Sequence, residues 1–468
     1  MPPPTSTRRW EIDAVRGLML ALMTVTHLPT RLTQPLGQPF GFVSAAEGFV
    51  LLSAYMAGMV YGRLAWRKSV ADMRQAFWRR ALKIYGCQAA TLLFLFTVIA
   101  FIGIRVDEPA IKGMMTFYLL HPLQALVGGL LLVYEPPLLD ILPLYVLFML
   151  ASPWVMTFAL RRGWAPVMAG SVLLWVLAQF GLSRWFYDGI AAVMPMPIPF
   201  TETGAFVMWG WQFLWVLGLW MGASRNDPDA APFEFPRWSV WVACAIALVC
   251  MVWRHTIGQV PFGDSRPELN LLFDKWALGP LRLIDLLALT LLAIRFGPTL
   301  AARLPRQHWL ETLGAASLPV FCAHLVVVLL TLVFMGADYE RPWPQDIALL
   351  IACFATLYAV ARVTLWIDKP PGDDGHPVQP SPNGAAPSGG TKKNGGLPPG
   401  NALGKTAVGA DSQRSALTRT SAALPTPLPV AAVAAVAVVA GELTPASRVG
   451  AELGAGVTNA PITVRQRS

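Results

Sequence analysis

Apolar runs of about 18–23 residues recur along this chain, each long enough to cross the hydrocarbon core of a bilayer. Inside hydrocarbon every backbone N–H and C=O must find its partner within the segment, so runs of this length fold as helices. That restricts the chain to an all-α integral membrane protein. Composition agrees. Of 468 residues, 55% are hydrophobic and 13% charged, where a soluble protein carries roughly a quarter charged. Mean hydropathy is positive.

The runs predict about ten spans, near 10–30, 44–62, 82–104, 138–160, 165–183, 204–222, 238–256, 278–296, 313–335 and 345–367. A further apolar stretch, 113–133, is interrupted by His121-Pro122 and Gly128-Gly129 and reads as an interfacial or re-entrant piece. Loop charges test the count. Arg63, Arg67, Lys68, Arg74, Arg79, Arg80 and Lys83 follow the second span. Arg161 and Arg162, Arg225 and Arg237, and Arg303 and Arg306 fall in later loops on the same side. The alternate loops carry Asp107, Glu108, Glu135, Asp188, Glu202, Asp264 and Asp338. Cations concentrate on the cytoplasmic side, so both termini are expected there. The net charge of +9 is therefore no sign of a nucleic-acid partner. The first apolar run contains Arg16 and lacks a small-residue cleavage site, so it does not read as a cleaved signal.

Beyond residue 367 the composition turns to Pro, Gly, Ala, Ser and Thr, as in Pro370-Pro-Gly-Asp-Asp-Gly-His. Residues 368–468 are expected to be a disordered cytoplasmic tail, set apart from a membrane domain over 8–367. Its apolar run from Val430 is too short to span. Cys87, Cys244, Cys250, Cys322 and Cys353 lie within or beside apolar segments without metal-ligand spacing, and read as small core side chains. Neither a metal nor a tightly bound cofactor is expected.

Ionisable groups inside the spans carry the functional information, because they are costly in lipid and face the protein interior. Arg16 and His27 are eleven residues apart in the first span. Eleven steps of about 100° return to within about 20° of the start, about 16 Å along the axis. The two share one face at different depths, as a polar path through the membrane requires. Glu47 opens the second span at the depth of His27 and is placed to fix its tautomer; the alternative is a structural polar pair between helices. Arg80 and Lys83, one turn apart where the third span begins, suit a phosphate; the alternative is ordinary positive-inside charge. His324, in the ninth span, reads equally as a neutral imidazole bonded between helices. Glu202, Trp211 and Gln212 border the sixth span, and Lys275, Arg282 and Asp285 the eighth. Arg282 and Asp285 are spaced to pair with each other.

These pieces together resemble the membrane-bound acyltransferase-3 superfamily. Its first span carries an arginine, ten residues, then a histidine, matched by Arg16 and His27. Its second ends Leu-Ser-Gly followed by an aromatic; here Leu52-Ser53-Ala54-Tyr55 has alanine for glycine. Its third opens Arg-x-x-Arg; here Lys83 takes the second place, keeping the charge without the bidentate fork. A late Leu-Gly-x-x-Ser-Leu-x-x-Phe-x-x-His matches Leu313 to His324. Within the superfamily the chain is most similar to OpgC proteins, which succinylate osmoregulated periplasmic glucans. The similarity rests on Ala45-Ala-Glu47-Gly-Phe-Val, Leu139-Asp-Ile-Leu-Pro-Leu-Tyr145, Trp211-Gln-Phe-Leu-Trp-Val-Leu-Gly and Leu278-Gly-Pro-Leu-Arg282.

The resemblance implies an O-acyltransferase with an acyl-coenzyme A donor, succinyl-CoA among the candidates, and a periplasmic glucan or other envelope carbohydrate as acceptor. Arg80 and Lys83 would hold the donor's phosphates, with Arg16 deeper in. His27, oriented by Glu47, would be the general base. Ser53, Tyr55 or His324 would stabilise the oxyanion or contact the acceptor. The same buried charges also suit a transporter or flippase for an oligosaccharide or organic acid. A third reading is a polymer-export scaffold with the tail as an interaction arm.

Overall fold

The computed structural model describes residues 10–194, 196–226, 235–263 and 266–368. The expected tail, with its apolar run from Val430, and Asp264 lie outside the described residues. Every described element is helical.

The ten expected spans fall on twelve helices, 165–183 and 313–335 each meeting two. They are α1 (Trp10–His27), α2 (Ala45–Arg67), α3 (Val70–Phe94), α4 (Ile141–Arg162), α5 (Trp164–Gln179), α6 (Leu182–Val193), α7 (Met208–Ser224), α8 (Arg237–Ile257), α9 (Pro280–Arg303), α10 (His308–Ala315), α11 (Ser317–Met335) and α12 (Trp343–Ile367). Among the described residues seven helices are long and apolar enough to cross a membrane, and eight if the α5–α6 pair, bent by 80°, is one span. The expected spans outside that group have visible reasons. Glu11, Asp13 and Arg16 lower the hydropathy of α1, and α7 is 17 residues long. The chain is a multi-pass membrane protein.

Two boundaries differ from expectation. α3 begins at Val70, capped by Ser69, whose hydroxyl accepts from the Asp72 N–H at 3.0 Å. It runs through a π turn, Leu95–Ile99, into Ala100–Val106. Arg80 and Lys83 therefore lie well inside a helix rather than at its opening. An apolar run marks only the lipid-embedded part of a helix and misses a polar first half. The 113–133 stretch falls within short helices at Pro109–Met114, Thr116–Leu120 and Pro122–Leu130. The nine residues of the last rise about 14 Å, half a bilayer. Pro122, with no N–H to give, sets a break.

Small residues decide how close the helices come. A Cβ at Gly218 would sit 2.5 Å from the Leu51 carbonyl oxygen, and one at Gly222 would overlap that of Tyr55, so α7 lies directly on α2. α10 lies on α1 in the same way, since a Cβ at Gly314 would strike the Asp13 carbonyl. The main apolar core joins Leu20, Val50, Phe77, Leu214, Phe321 and Leu325. A smaller cluster around Tyr134, with Leu92, Ile99, Phe117 and Ile198, holds the short helices against α3. Trp241, Leu248, Ile351 and Val363 point outwards from α8 and α12, as lipid-facing positions do.

Candidate functional site

Arg16 and His27, on one face of α1, each meet a side chain of α11. Arg16 donates to the Ser317 hydroxyl and lies 3.9 Å from Asp13. At the other end of α1, Nδ1 of His27 lies 3.1 Å from Nε2 of His324. The two imidazoles stack with centroids 5.4 Å apart and planes at 18°. His324 is fully buried and His27 half-buried, so His27 is the more exposed member of the pair.

Their partners assign the ring protons. Nδ1 of His324 faces the Phe321 carbonyl at 2.6 Å. A carbonyl only accepts, so this nitrogen carries the proton, and Nε2 of neutral His324 is a bare acceptor. The proton shared by the rings then belongs to Nδ1 of His27. Nε2 of His27 is left with its lone pair free, as a general base needs. When that nitrogen takes a proton, the Nδ1 bond to His324 persists.

Glu47, expected to orient His27, is engaged elsewhere. Its carboxylate closes the capping box of α2, accepting from the Ser44 N–H at 3.0 Å and from the Ser44 hydroxyl. Its other oxygen lies 2.9 Å from Nε of Arg282, with both side chains buried. The Nε–H is not aligned on that oxygen, so the contact is an ion pair rather than a directed hydrogen bond. A guanidinium attracts a buried carboxylate more strongly than a neutral imidazole does, so the charged partner takes Glu47 and His324 takes His27. Arg282 and Asp285 do not pair with each other either. Both grip Phe42: Arg282 Nη1 donates to its carbonyl at 2.5 Å, and Asp285 accepts from its N–H at 2.8 Å. The chain passes this close because Gly41 has φ +109°, and a Cβ there would press on the Asp285 carboxylate.

Arg80 is half-buried and close enough to act on the charges of Tyr61 and Tyr145; Arg16 also acts on Tyr145. The two arginines thus both act on Tyr145. Lys83, exposed, does not join them. Ser53 is buried beside the Tyr145 phenol, and its hydroxyl makes no aligned hydrogen bond among the described residues. Tyr55 follows Ser53 by two residues, which turns it about 160° away, and its backbone forms the seam with Gly222. The two residues therefore cannot serve one oxyanion together. Sequence reading missed Tyr145 as a site residue. It lies in a matched stretch, but nothing in one sequence shows that α4 meets α2 at Ser53.

Beside the histidines lies a second polar group that connects the spans. Lys275 sits on the 274–279 turn, its ammonium 4.9 Å from the centroid of Trp276 and 5.9 Å from that of Phe206. Glu47, Asp140 and Arg282 act on its charge, and it acts on His27. Burial draws its pKa down, the two carboxylates working against that shift and Arg282 with it. Glu135 lies against the Gly204 backbone. Burial, with the charge of Asp140, holds its pKa well above the usual carboxylate range.

The family model described as OpgC protein matches residues 8–369. No curated protein and no protein of known structure matches the sequence.

Proposed function

Since the chain belongs to the OpgC family, we propose that it is a membrane O-acyltransferase. It would move a succinyl or other short acyl group from acyl-coenzyme A to a hydroxyl of a periplasmic glucan or other envelope carbohydrate. Membership supports an acyltransferase-like role in glucan modification. The observation that carries the chemistry is the His27–His324 pair, which leaves Nε2 of a half-buried imidazole bare.

In this reading the acceptor hydroxyl gives its proton to Nε2 of His27 while its oxygen attacks the thioester carbonyl. The adduct collapses with loss of the coenzyme A thiolate, which takes the proton back from His27. The products are an O-ester and free coenzyme A. His324 keeps the imidazole in its working tautomer. Ser53, whose buried hydroxyl lies beside Tyr145 without an aligned hydrogen bond, would offer it to a developing oxyanion. Arg80 and Arg16 attract the donor's negative charge towards the interior, and Lys83 adds a cation at the surface. In this reading the donor binds from the cytoplasmic side of an inner membrane and His27 lies towards the periplasmic side, an orientation that the cation-rich loops favour.

Purified protein given acyl-CoA and glucan is expected to release coenzyme A and form glucan ester together, and His27→Ala to abolish both. A stably folded His27→Ala variant with full transfer would refute the reading. Sugar or organic-acid counterflow without coenzyme A release would mark a transporter instead.

A further inference from the structure

We infer that Lys275 is a specificity residue, receiving the distal carboxylate of a dicarboxylic acyl group whose thioester carbonyl lies at His27. The inference rests on the acyltransferase reading and deepens it. Four observations support it.

First, Lys275 is an ammonium without an ion pair among the described residues, although the site around it is charged. Glu47 is committed to Arg282 and Ser44, while Asp140 and Glu47 act on Lys275 only through space. Its direct neighbours are the rings of Trp276 and Phe206. These hold the cation while leaving its N–H groups without an acceptor. A partly desolvated ammonium of this kind gains most from a carboxylate that arrives with the substrate.

Second, the residue is rigidly presented. The Trp276 carbonyl accepts from the Val207 N–H at 2.9 Å and from the Trp211 indole at 3.0 Å. The Ala277 carbonyl accepts from Gln179 at 2.8 Å, and the Leu278 carbonyl from the Trp175 indole at 2.9 Å. Asp274 caps the turn through the Trp276 and Ala277 N–H groups, both at 3.0 Å. A turn pinned from α5 and α7 fixes where the Lys275 stem begins, which suits recognition of one defined group.

Third, Lys275 lies near enough to His27 for its charge to be felt there. The inference sets one end of a short acyl chain at the base and the other at the cation.

Fourth, the charges are complementary. Lys275 carries a positive charge near the site where the dicarboxylic donor would bind. A bound carboxylate would neutralise it and favour the charged form of Lys275. A dicarboxylic donor would thereby assist its own binding, which a neutral acyl group of the same length cannot do.

The test compares succinyl-CoA with its neutral isostere butyryl-CoA on detergent-purified protein, reading kcat/KM for each. Wild type is expected to favour succinyl. In Lys275→Met the succinyl-to-butyryl ratio is expected to fall roughly 10- to 100-fold, the range of one charge-assisted contact, and Lys275→Arg to recover much of it. An unchanged ratio, with both donors slowed alike, would make Lys275 merely structural and overturn the inference alone. A wild type that prefers butyryl would do the same. A wild type that transfers neither group would remove the acyltransferase reading and this inference with it.

Discussion

Removing Arg282 tests whether Glu47 is held by charge rather than by catalysis. Arg282 is 1% exposed and Glu47 0%, with Nε and Oε1 2.9 Å apart. In Arg282→Met the Glu47 carboxylate stays buried, with only the Ser44 N–H and hydroxyl to satisfy it. The Phe42 carbonyl loses its donor in the same step. Breaking one side of a buried pair costs about 3–5 kcal/mol, because a stranded charge remains. Glu47→Gln strands the guanidinium instead and is expected to cost a similar amount. In the double variant neither member of the pair strands the other, so part of the loss should return and the coupling should reach a few kcal/mol. Unfolding free energies of the four proteins in one mixed-micelle system read this directly. Strict additivity, or a loss below about 1 kcal/mol for Arg282→Met, would show that Glu47 is not held in this way.

Three further outcomes follow from the geometry. His324→Phe keeps the stacking volume and removes the acceptor of the His27 proton; kcat is expected to fall roughly 100-fold or more with a smaller change in KM, and an unchanged kcat would contradict the tautomer assignment. Gly314→Ala drives a methyl into the Asp13 carbonyl; thermal unfolding should show a loss of about 1–3 kcal/mol from overpacking, and a neutral result would mean that α1 and α10 are not packed this closely. Glu135 has a folded pKa raised well above its unfolded value, so the folded state holds the proton longer; stability should fall as pH rises from the ordinary carboxylate range through the raised one, and Glu135→Gln should flatten that slope in melting curves.

The sequence carried the architecture well, because its signals are local. Apolar run length marks a lipid-embedded helix, His121-Pro122 marks a break, and an eleven-residue spacing puts Arg16 and His27 on one face wherever the helix goes. Partner choice was not legible in the same way. His27 and His324 are 297 residues apart in the chain, and no periodicity says that α1 meets α11 there. That Glu47 opens α2 was readable, but its loyalty was not, since that depended on Arg282 arriving from α9 with a full charge. The start of α3 was misplaced for the opposite reason: its first half is polar, and hydropathy is blind to a helix that has left the bilayer.

The measurement that bears most directly on the central claim is mass spectrometry of periplasmic glucans from cells carrying the wild-type chain, its His27→Ala variant, or neither. The account predicts an acyl mass increment, succinyl in size if Lys275 selects the donor, that appears only with the wild type. An increment that persists in His27→Ala at equal protein levels would contradict His27 as the base, and identical glucans in all three cells would contradict these glucans as the acceptor.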